Sequence, residues 1–197
     1  RLLVRVLSMA GDSRSAHAIA RVALRKDFSG SMTDENRPIW EVAYPVAFRD
    51  LIEAHCRRAN GLDPDLLQAL MREESALDPK ALSWAGAMGL TQLMPATAMV
   101  VAKQLKTGPL TTAMLLETDT NILLGASYLG RLVRRYGGVA QYARAAYNAG
   151  AGAVERWRRE RPNDDIDEWV ENIPISETRG YVKRVLRSYH TYRLLYG

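Results

Sequence analysis

The chain has 197 residues, of which 47% are hydrophobic and 25% are charged. These are ordinary globular values at a length of about one domain plus a fragment, and they exclude a disordered tail, a collagen and a disulfide mini-protein. The net charge of +5 is carried by residues 1–26, where six basic residues accompany one acidic residue, whereas residues 27–197 hold 21 of each sign. This balance argues against a nucleic-acid-binding protein.

Helical patterns dominate the chain from its start. Residues 3–26 are predicted to form two short helices, and residues 27–45 a connector containing Pro38 and Pro45. Only residues 173–175 weakly suggest a strand, so the sequence predicts an all-α or nearly all-α fold. The remaining predicted helices cover residues 47–60, 64–76, 95–105, 118–136, 139–148, 152–159, 166–172 and 178–196.

Two boundaries have clear sequence signals. Gly61 follows the helix over 47–60 as a C-cap residue, and Asp63 with Pro64 provides an N-cap and a first helical residue for the next helix. A glycine-rich loop is predicted over residues 78–90. The stretch from residue 81 to 102 has no charge, but polar and glycine residues interrupt it, so we expect it to line a cleft or a core rather than to span a membrane.

The residues that most often bind metals give no cluster in this sequence. Cys56 is the one cysteine, so no internal disulfide can form, and we expect it to be a small packed side chain. His17, His55 and His190 are far apart and lack metal-ligand spacing, so the sequence argues against a zinc enzyme. The basic residues between Arg179 and Arg187 are predicted to form a solvated helix face.

One carboxylate lies on an apolar helix face. At about 100° per residue, the apolar arc of the helix over 64–76 is centred near Glu74, whereas Glu73 lies about a quarter turn away and is expected to reach solvent. Burial raises a carboxyl pKa, which suits a general acid that works near neutral pH. A helix-end glutamate that pairs with an arginine or with loop amides is the alternative.

The loop that follows carries groups suited to a ligand. Residues 83–95 read SWAGAMGLTQLMP, with glycines that allow close approach of the backbone and with Gln92, which can both donate and accept hydrogen bonds. Such a loop is suited to binding sugar hydroxyl and amide groups.

Four motifs occur in order along the chain: Glu74-Ser75, the segment from Gly89 to Pro95, Ala146 to Gly150, and Ile173-Pro174 with Glu177 to Arg179 and Tyr181-Val182. Together they resemble the soluble lytic transglycosylases over about residues 44–195. Each motif is weak alone, but their order and spacing are specific. Thr91 departs from the family pattern, which usually has methionine there, and we expect this to change the cleft wall.

The resemblance implies a lysozyme-like helical catalytic domain over residues 44–197. Residues 1–43 would be the last part of an α-superhelical region with its connector. The implied activity is non-hydrolytic cleavage of the β-1,4 bond between N-acetylmuramic acid and N-acetylglucosamine in peptidoglycan, with a 1,6-anhydro product. Glu74 takes the acid/base role, the substrate N-acetyl group is the internal nucleophile, and no metal or cofactor is implied.

Further site residues follow from the matching positions. Tyr147 is expected to orient the N-acetyl group or to stabilise charge near C1. Glu177 is a second cleft carboxylate, with helix capping as its alternative. Trp157 and Trp169 are expected to pack in the core rather than to stack on sugars. The other residues implied to bind substrate are Ser75, Ser83, Gln92, Met94 (with core packing as its alternative) and Asn148.

The sequence is also compatible with three other functions. A lysozyme-type hydrolase would use the same glutamate with water, a glycan-binding module would not cleave, and a helical nucleic-acid binder would use the face from Arg179 to Arg187. The partner implied by the resemblance is the peptidoglycan strand, and the implied location is the bacterial periplasm. Because the chain begins with Arg1 rather than Met, we expect any signal peptide to have been removed.

Overall fold

The computed structural model describes Val6, Ser15, Ile19 and residues 32–197. The helices predicted over residues 3–26 therefore lie outside the described residues, apart from those three. Within the described ranges the fold is helical, with two isolated β-bridges and no strand, which confirms the predicted all-α class. The α-helices are α1 Arg37–Ala43, α2 Arg49–Arg58, α3 Pro64–Ser75, α4 Pro95–Leu105, α5 Thr118–Arg135, α6 Ala140–Ala149, α7 Ala151–Glu160, α8 Ile166–Glu171 and α9 Ser176–Tyr196, and a 3₁₀ helix covers Ala113–Leu116.

The predicted helices from residue 47 onward are confirmed to within two residues at each end, with two differences elsewhere. Helix α1 forms inside the predicted connector, because Pro38 occupies its first turn and Arg37 pairs with Glu41 one turn later. The weak strand suggestion at residues 173–175 is wrong, since this segment is a loop that leads into α9.

Local signals explain the boundaries of α2 and α3. Helix α3 begins because the Asp63 side chain accepts a hydrogen bond of 2.9 Å from the backbone N–H of Asp65, as the N-cap prediction requires. Helix α2 ends earlier than predicted, with Ala59 as its C-cap. Asn60 and Gly61 then adopt left-handed backbone conformations that turn the chain toward α3.

The core is organised around α9, which packs against α3 and α6. Trp157 and Trp169 are 3% and 1% exposed, which confirms that they are core residues. Cys56 is also buried, as predicted, and burial raises the pKa of its thiol to about 12. None of the described helices is both long and apolar enough to cross a membrane.

A second, smaller apolar cluster forms between α4, α5 and the loop that precedes α4. Its buried members are Leu93, Ala98, Val101, Ala102, Leu115 and Leu124. Tyr128 and Tyr147 pack against both this cluster and the main core, with ring centroids 5.1 Å apart. Tyr147 therefore lies where the two clusters meet, and this junction carries the candidate site.

Candidate active site

The candidate site is centred on Glu74, in the last turn of α3. Its carboxylate is partly buried, and the Tyr181 hydroxyl on α9 donates a hydrogen bond of 2.6 Å to its Oε1. Desolvation raises the pKa of Glu74 to about 7, an effect that the hydrogen bond from Tyr181 opposes. A carboxyl group with this pKa can act both as a proton donor and as a proton acceptor near neutral pH.

The neighbouring carboxylate, Glu73, has a structural role. Its side chain is only 3% exposed, so the prediction that it reaches solvent is wrong. The quarter turn between the two glutamates directs Glu73 toward α9, where Arg72 and the Ser188 hydroxyl donate hydrogen bonds to it. Arg184 lies 3.7 Å from its second oxygen. The charge of Glu73 also raises the pKa of Glu74.

Two phenol groups flank Glu74. Tyr181 is buried, and the Tyr147 hydroxyl on α6 donates a hydrogen bond of 2.9 Å to the backbone carbonyl of Thr91. Burial raises the pKa of both phenols, and the charge of Glu74 raises them further, so both hydroxyls stay protonated as donors. Tyr181 was predicted only as part of a family motif, without a role of its own.

A hydrogen-bonded loop contacts both the end of α3 and the Tyr147 hydroxyl. The Ser75 hydroxyl lies 3.0 Å from the carbonyl oxygen of Met71 and 2.9 Å from that of Leu90, and so joins the end of α3 to this loop. The side-chain amide nitrogen of Gln92 donates to the carbonyls of Gly89 (2.8 Å) and Ala81 (3.2 Å). These bonds hold the Gln92 side chain in place and leave its carbonyl oxygen suited to accept from a ligand.

Two further predicted residues lie on the same loop. The Ser83 hydroxyl accepts a hydrogen bond of 2.9 Å from the backbone N–H of Ala87. Met94 is the N-cap residue of α4 and is 43% exposed, which excludes the alternative that it is a core residue. A partly exposed methionine offers an adaptable apolar contact to a ligand.

Thr91 occupies a different place from the one expected. Its side chain is fully buried and its hydroxyl lies 2.7 Å from Oδ1 of Asn121, so the expectation that it alters the cleft wall is wrong. Gly125 of α5 makes room for it, because a Cβ there would lie 2.6 Å from the Thr91 hydroxyl oxygen. What Thr91 presents toward the site is its backbone carbonyl, which accepts from Tyr147.

Asn148 and Glu177 lie at the exposed side of the site. The Thr178 hydroxyl donates a hydrogen bond of 2.6 Å to Oδ1 of Asn148, which joins the end of α6 to the start of α9. Glu177 is exposed in the first turn of α9, where the helix dipole stabilises a negatively charged carboxylate. It is close enough to Glu74 for its charge to raise the pKa of that carboxyl.

The described residues offer no metal centre. No group of three or more histidine, cysteine, aspartate or glutamate side chains in this part of the chain could hold an ion. His55 is buried, and its Nε2 lies 2.9 Å from Oδ1 of Asp119.

Comparison with known proteins gives the family. The family model "Transglycosylase SLT domain" matches residues 52–170, which include Glu74, Gln92 and Tyr147. The chain belongs to the transglycosylase SLT domain family. The resemblance derived from the four motifs is therefore confirmed.

Relatives of this SLT domain include the soluble lytic murein transglycosylase of Salmonella typhimurium, which is 40% identical over 162 residues. This match covers 80% of the chain but 24% of the relative, so the chain spans about a quarter of that protein's length. The 70-kDa soluble lytic transglycosylase of Escherichia coli has a solved structure with a TM-score of 0.76 at 33% identity, covering 98% of this chain and 35% of that one. An inactive glutamate-to-glutamine mutant of the Pseudomonas aeruginosa enzyme Slt gives a TM-score of 0.74 at 32% identity, covering 92% of this chain and 30% of that one.

Proposed function

We propose that this SLT domain is a peptidoglycan lytic transglycosylase, which cleaves the β-1,4 bond between N-acetylmuramic acid and N-acetylglucosamine and leaves a 1,6-anhydro end. The observation that carries the proposal is the partly buried Glu74, whose pKa is raised to about 7 and whose Oε1 accepts from Tyr181. Its similarity to proteins that are named lytic transglycosylases supports the same reaction.

In the first step Glu74 is the general acid. Protonated Glu74 donates its proton to the glycosidic oxygen as the bond from C1 of the muramyl sugar to that oxygen breaks. The carbonyl oxygen of the sugar's own acetamido group forms a new bond to C1, so the electron pair lost to the leaving group is replaced from the substrate. The glucosaminyl product leaves with a free hydroxyl, and Glu74 becomes a carboxylate.

In the second step the same carboxylate is the general base. Glu74 accepts the proton of the muramyl C6 hydroxyl, and that oxygen attacks C1 while the bond from C1 to the acetamido oxygen breaks. The acetamide is regenerated, the 1,6-anhydro ring closes and Glu74 is protonated again. No water is consumed, and one group whose pKa is about 7 serves both steps.

The surroundings of Glu74 support an internal nucleophile. The adjacent Glu73 is held by Arg72 and Ser188, so it is engaged in a structural pair rather than directed at a substrate carbon. The Tyr147 hydroxyl donates to the backbone carbonyl of Thr91, which precedes Gln92 in the loop, and we assign Tyr147 and Gln92 to orienting the acetamido group. Met94, Ser83, Asn148 and Glu177 are assigned to the walls that hold the glycan.

The decisive experiment is digestion of purified peptidoglycan with the chain and with Glu74→Gln, followed by mass spectrometry of the soluble products. We expect muropeptides one water lighter than hydrolysis products, and no release by the variant. Products of full mass with reducing ends would make the protein a lysozyme-type hydrolase. Retained glycan binding without release by the unmodified chain would indicate a binding module instead.

The proposed partner and location follow from the substrate. Peptidoglycan glycan strands are the expected ligand, and one relative of the same family has been solved as a complex with bulgecin A. Peptidoglycan lies in the bacterial cell envelope, and we place the activity in the periplasm. Labelling of intact cells and of isolated periplasm with an antibody against the chain tests this location.

A further inference from the structure

One tryptophan is fully exposed beside the candidate site. Trp84 is 100% exposed, whereas Trp157 and Trp169 of the same chain are buried in the core. A tryptophan side chain is among the largest apolar groups, and leaving all of it in water forgoes the free energy that its burial would supply. The site residues assigned above do not include it.

A hydrogen-bonded turn carries Trp84. The backbone N–H of Gly86 donates to the carbonyl of Ser83 (3.0 Å), and the N–H of Ser83 donates to the carbonyl of Ala87 (2.9 Å). The Ser83 hydroxyl closes the turn from the side by accepting from Ala87. Trp84 is therefore the second residue of a closed turn, and little backbone freedom would be lost if its ring bound a ligand.

This turn is continuous with the wall of the candidate site. Leu82 pairs with Met88 through a β-bridge, and Met88 pairs with Leu93 immediately before Met94. Gln92 donates to the carbonyl of Ala81, and three residues of extended chain place Trp84 at most about 10 Å from Ala81. Trp84 thus lies on the same hydrogen-bonded loop as Ser83, Gln92 and Met94, with its whole side chain exposed to solvent.

The surroundings of the ring select the kind of ligand. No charged residue occurs between residues 81 and 102, so the turn offers neither a cation for an acidic peptide nor a basic face for anionic lipid. Leu82 adds a second exposed apolar side chain, and Ser83 and the indole N–H are polar. An apolar plane with polar groups at its edges matches a pyranose ring, which has an apolar C–H face and polar hydroxyl and acetamido groups at its rim.

We propose that Trp84 is an outer subsite of the cleft, where its indole face stacks on an N-acetylhexosamine ring of the glycan strand. This inference rests on the proposed function, because it takes the peptidoglycan strand as the ligand of the cleft. Trp84 binds and aligns the strand, and it does not touch the reacting atoms.

The binding test uses peptide-free ligands and a variant that does not cleave. Chito-oligosaccharides of increasing length are titrated into Glu74→Gln while tryptophan fluorescence is followed. We expect a blue shift and a change in intensity once the oligosaccharide is long enough to reach the turn. Both the blue shift and the intensity change should be lost when Trp84→Ala is added to Glu74→Gln. The Kd of the double variant for the oligosaccharide should be about three- to tenfold higher than that of Glu74→Gln. Trp84→Tyr should recover part of the affinity.

The kinetic test uses the protein with Glu74 intact on peptidoglycan. Trp84→Ala should raise KM by about three- to tenfold and leave kcat within about twofold, because the ring binds the strand away from the scissile bond. Leu194→Ala, which removes an exposed apolar side chain at the far end of α9, is the matched control and should change neither constant. Unchanged melting temperatures would show that each variant is folded.

The outcomes separate this inference from the proposed function. Suppose that the unmodified chain releases anhydro products, that Trp84→Ala has the same KM, and that titration changes no fluorescence. This result would overturn the subsite and leave the proposed function intact. The sugar assignment would also be overturned if Trp84→Ala weakened the binding only of fragments that carry stem peptides. A fluorescence response to anionic vesicles alone would overturn it as well. The unmodified chain could instead release no product while its fluorescence response to oligosaccharides still depends on Trp84. In that case the subsite holds and the lytic function fails.

Discussion

The hydroxyl of Tyr181 lies 2.6 Å from Oε1 of Glu74, and this hydrogen bond joins α9 to the end of α3. It opposes the effect of burial, because a donor to a carboxylate stabilises the ionised form whereas desolvation destabilises it. The pKa of about 7 at Glu74 is the result of these opposing influences together with the charges of Glu73, Arg184 and Glu177. Changes to these neighbours should therefore move the pH dependence of the reaction in opposite directions.

Tyr181→Phe removes the donor and should raise the pKa of Glu74. Since the first step needs the protonated acid, the alkaline limb of the kcat/KM profile should move to higher pH by about one to two units. Tyr189→Phe is the matched control, because it removes a phenol hydroxyl of the same helix that donates instead to Asp63 at 2.6 Å. An alkaline limb that stays in place in Tyr181→Phe would contradict the assignment of this limb to Glu74.

Glu177→Gln should have the opposite effect. The charge of Glu177 raises the pKa of Glu74, so its removal should lower that pKa and move the alkaline limb of kcat/KM to lower pH. Because Glu177 is exposed, the shift should be largest at low ionic strength and should shrink as salt is added. Glu168→Gln makes the same charge change on α8 and serves as the control. A shift that does not depend on salt would argue against a through-space charge effect.

Glu74→Gln should increase stability at alkaline pH. In the folded chain the pKa of Glu74 is about 7, against an ordinary value of 4.5 for a glutamate in water. The folded state therefore holds a proton that the unfolded state releases between these values. The free energy of unfolding should fall by up to about 3 kcal/mol over this window as pH rises. Glutamine does not titrate. In urea unfolding, Glu74→Gln and the unmodified chain should therefore be equally stable at pH about 4, and the variant should be the more stable of the two at pH about 8.5. A gap that is the same at both pH values would contradict the raised pKa.

The sequence predicted the helices and the central carboxylate because both depend on short-range patterns. Helical periodicity and the Asp63-Pro64 start located α3, and the position of Glu74 on its apolar face was visible from that helix alone. The contacts from α9 could not be predicted in this way, because Tyr181 is 107 residues from Glu74. Glu73 and Thr91 were misplaced for the same reason, since their partners Ser188 and Asn121 lie on helices distant in the sequence.

Because Gly125 of α5 packs closely against Thr91, replacing this glycine with a larger residue should destabilise the fold. A Cβ at Gly125 would clash with the Thr91 side chain, including a 2.6 Å approach to its hydroxyl, whereas a Cβ at Gly152 in α7 meets nothing within 4 Å. Gly125→Ala should lower stability by about 1–3 kcal/mol and weaken activity, because Thr91 also positions Tyr147. Gly152→Ala should be neutral or stabilising by up to about 1 kcal/mol. Thermal unfolding of both variants checks this, and equal effects would contradict the packing argument.

Arg144 of α6 should lower the stability of the fold rather than support it. Its side chain is fully buried, and none of its three guanidinium nitrogens hydrogen-bonds to a described residue. Desolvation lowers its pKa to about 10, although the phenol groups of Tyr181 and Tyr189 oppose this shift. Arg144→Met, which fills similar volume without a charge, should therefore raise the free energy of unfolding by about 1–3 kcal/mol.

The matched comparison is Arg72→Met, at a buried guanidinium that is well paired. Arg72 donates to Glu73, to the Ser188 hydroxyl and to the carbonyl of Ala43, and it stacks 3.9 Å from the ring centroid of Tyr44. Its loss leaves the buried Glu73 without its main partner, so we expect a destabilisation of about 3–5 kcal/mol. Urea unfolding at neutral pH measures both variants. If Arg144→Met is destabilised as strongly as Arg72→Met, the Arg144 guanidinium is stabilised in solution and its burial is not a net cost.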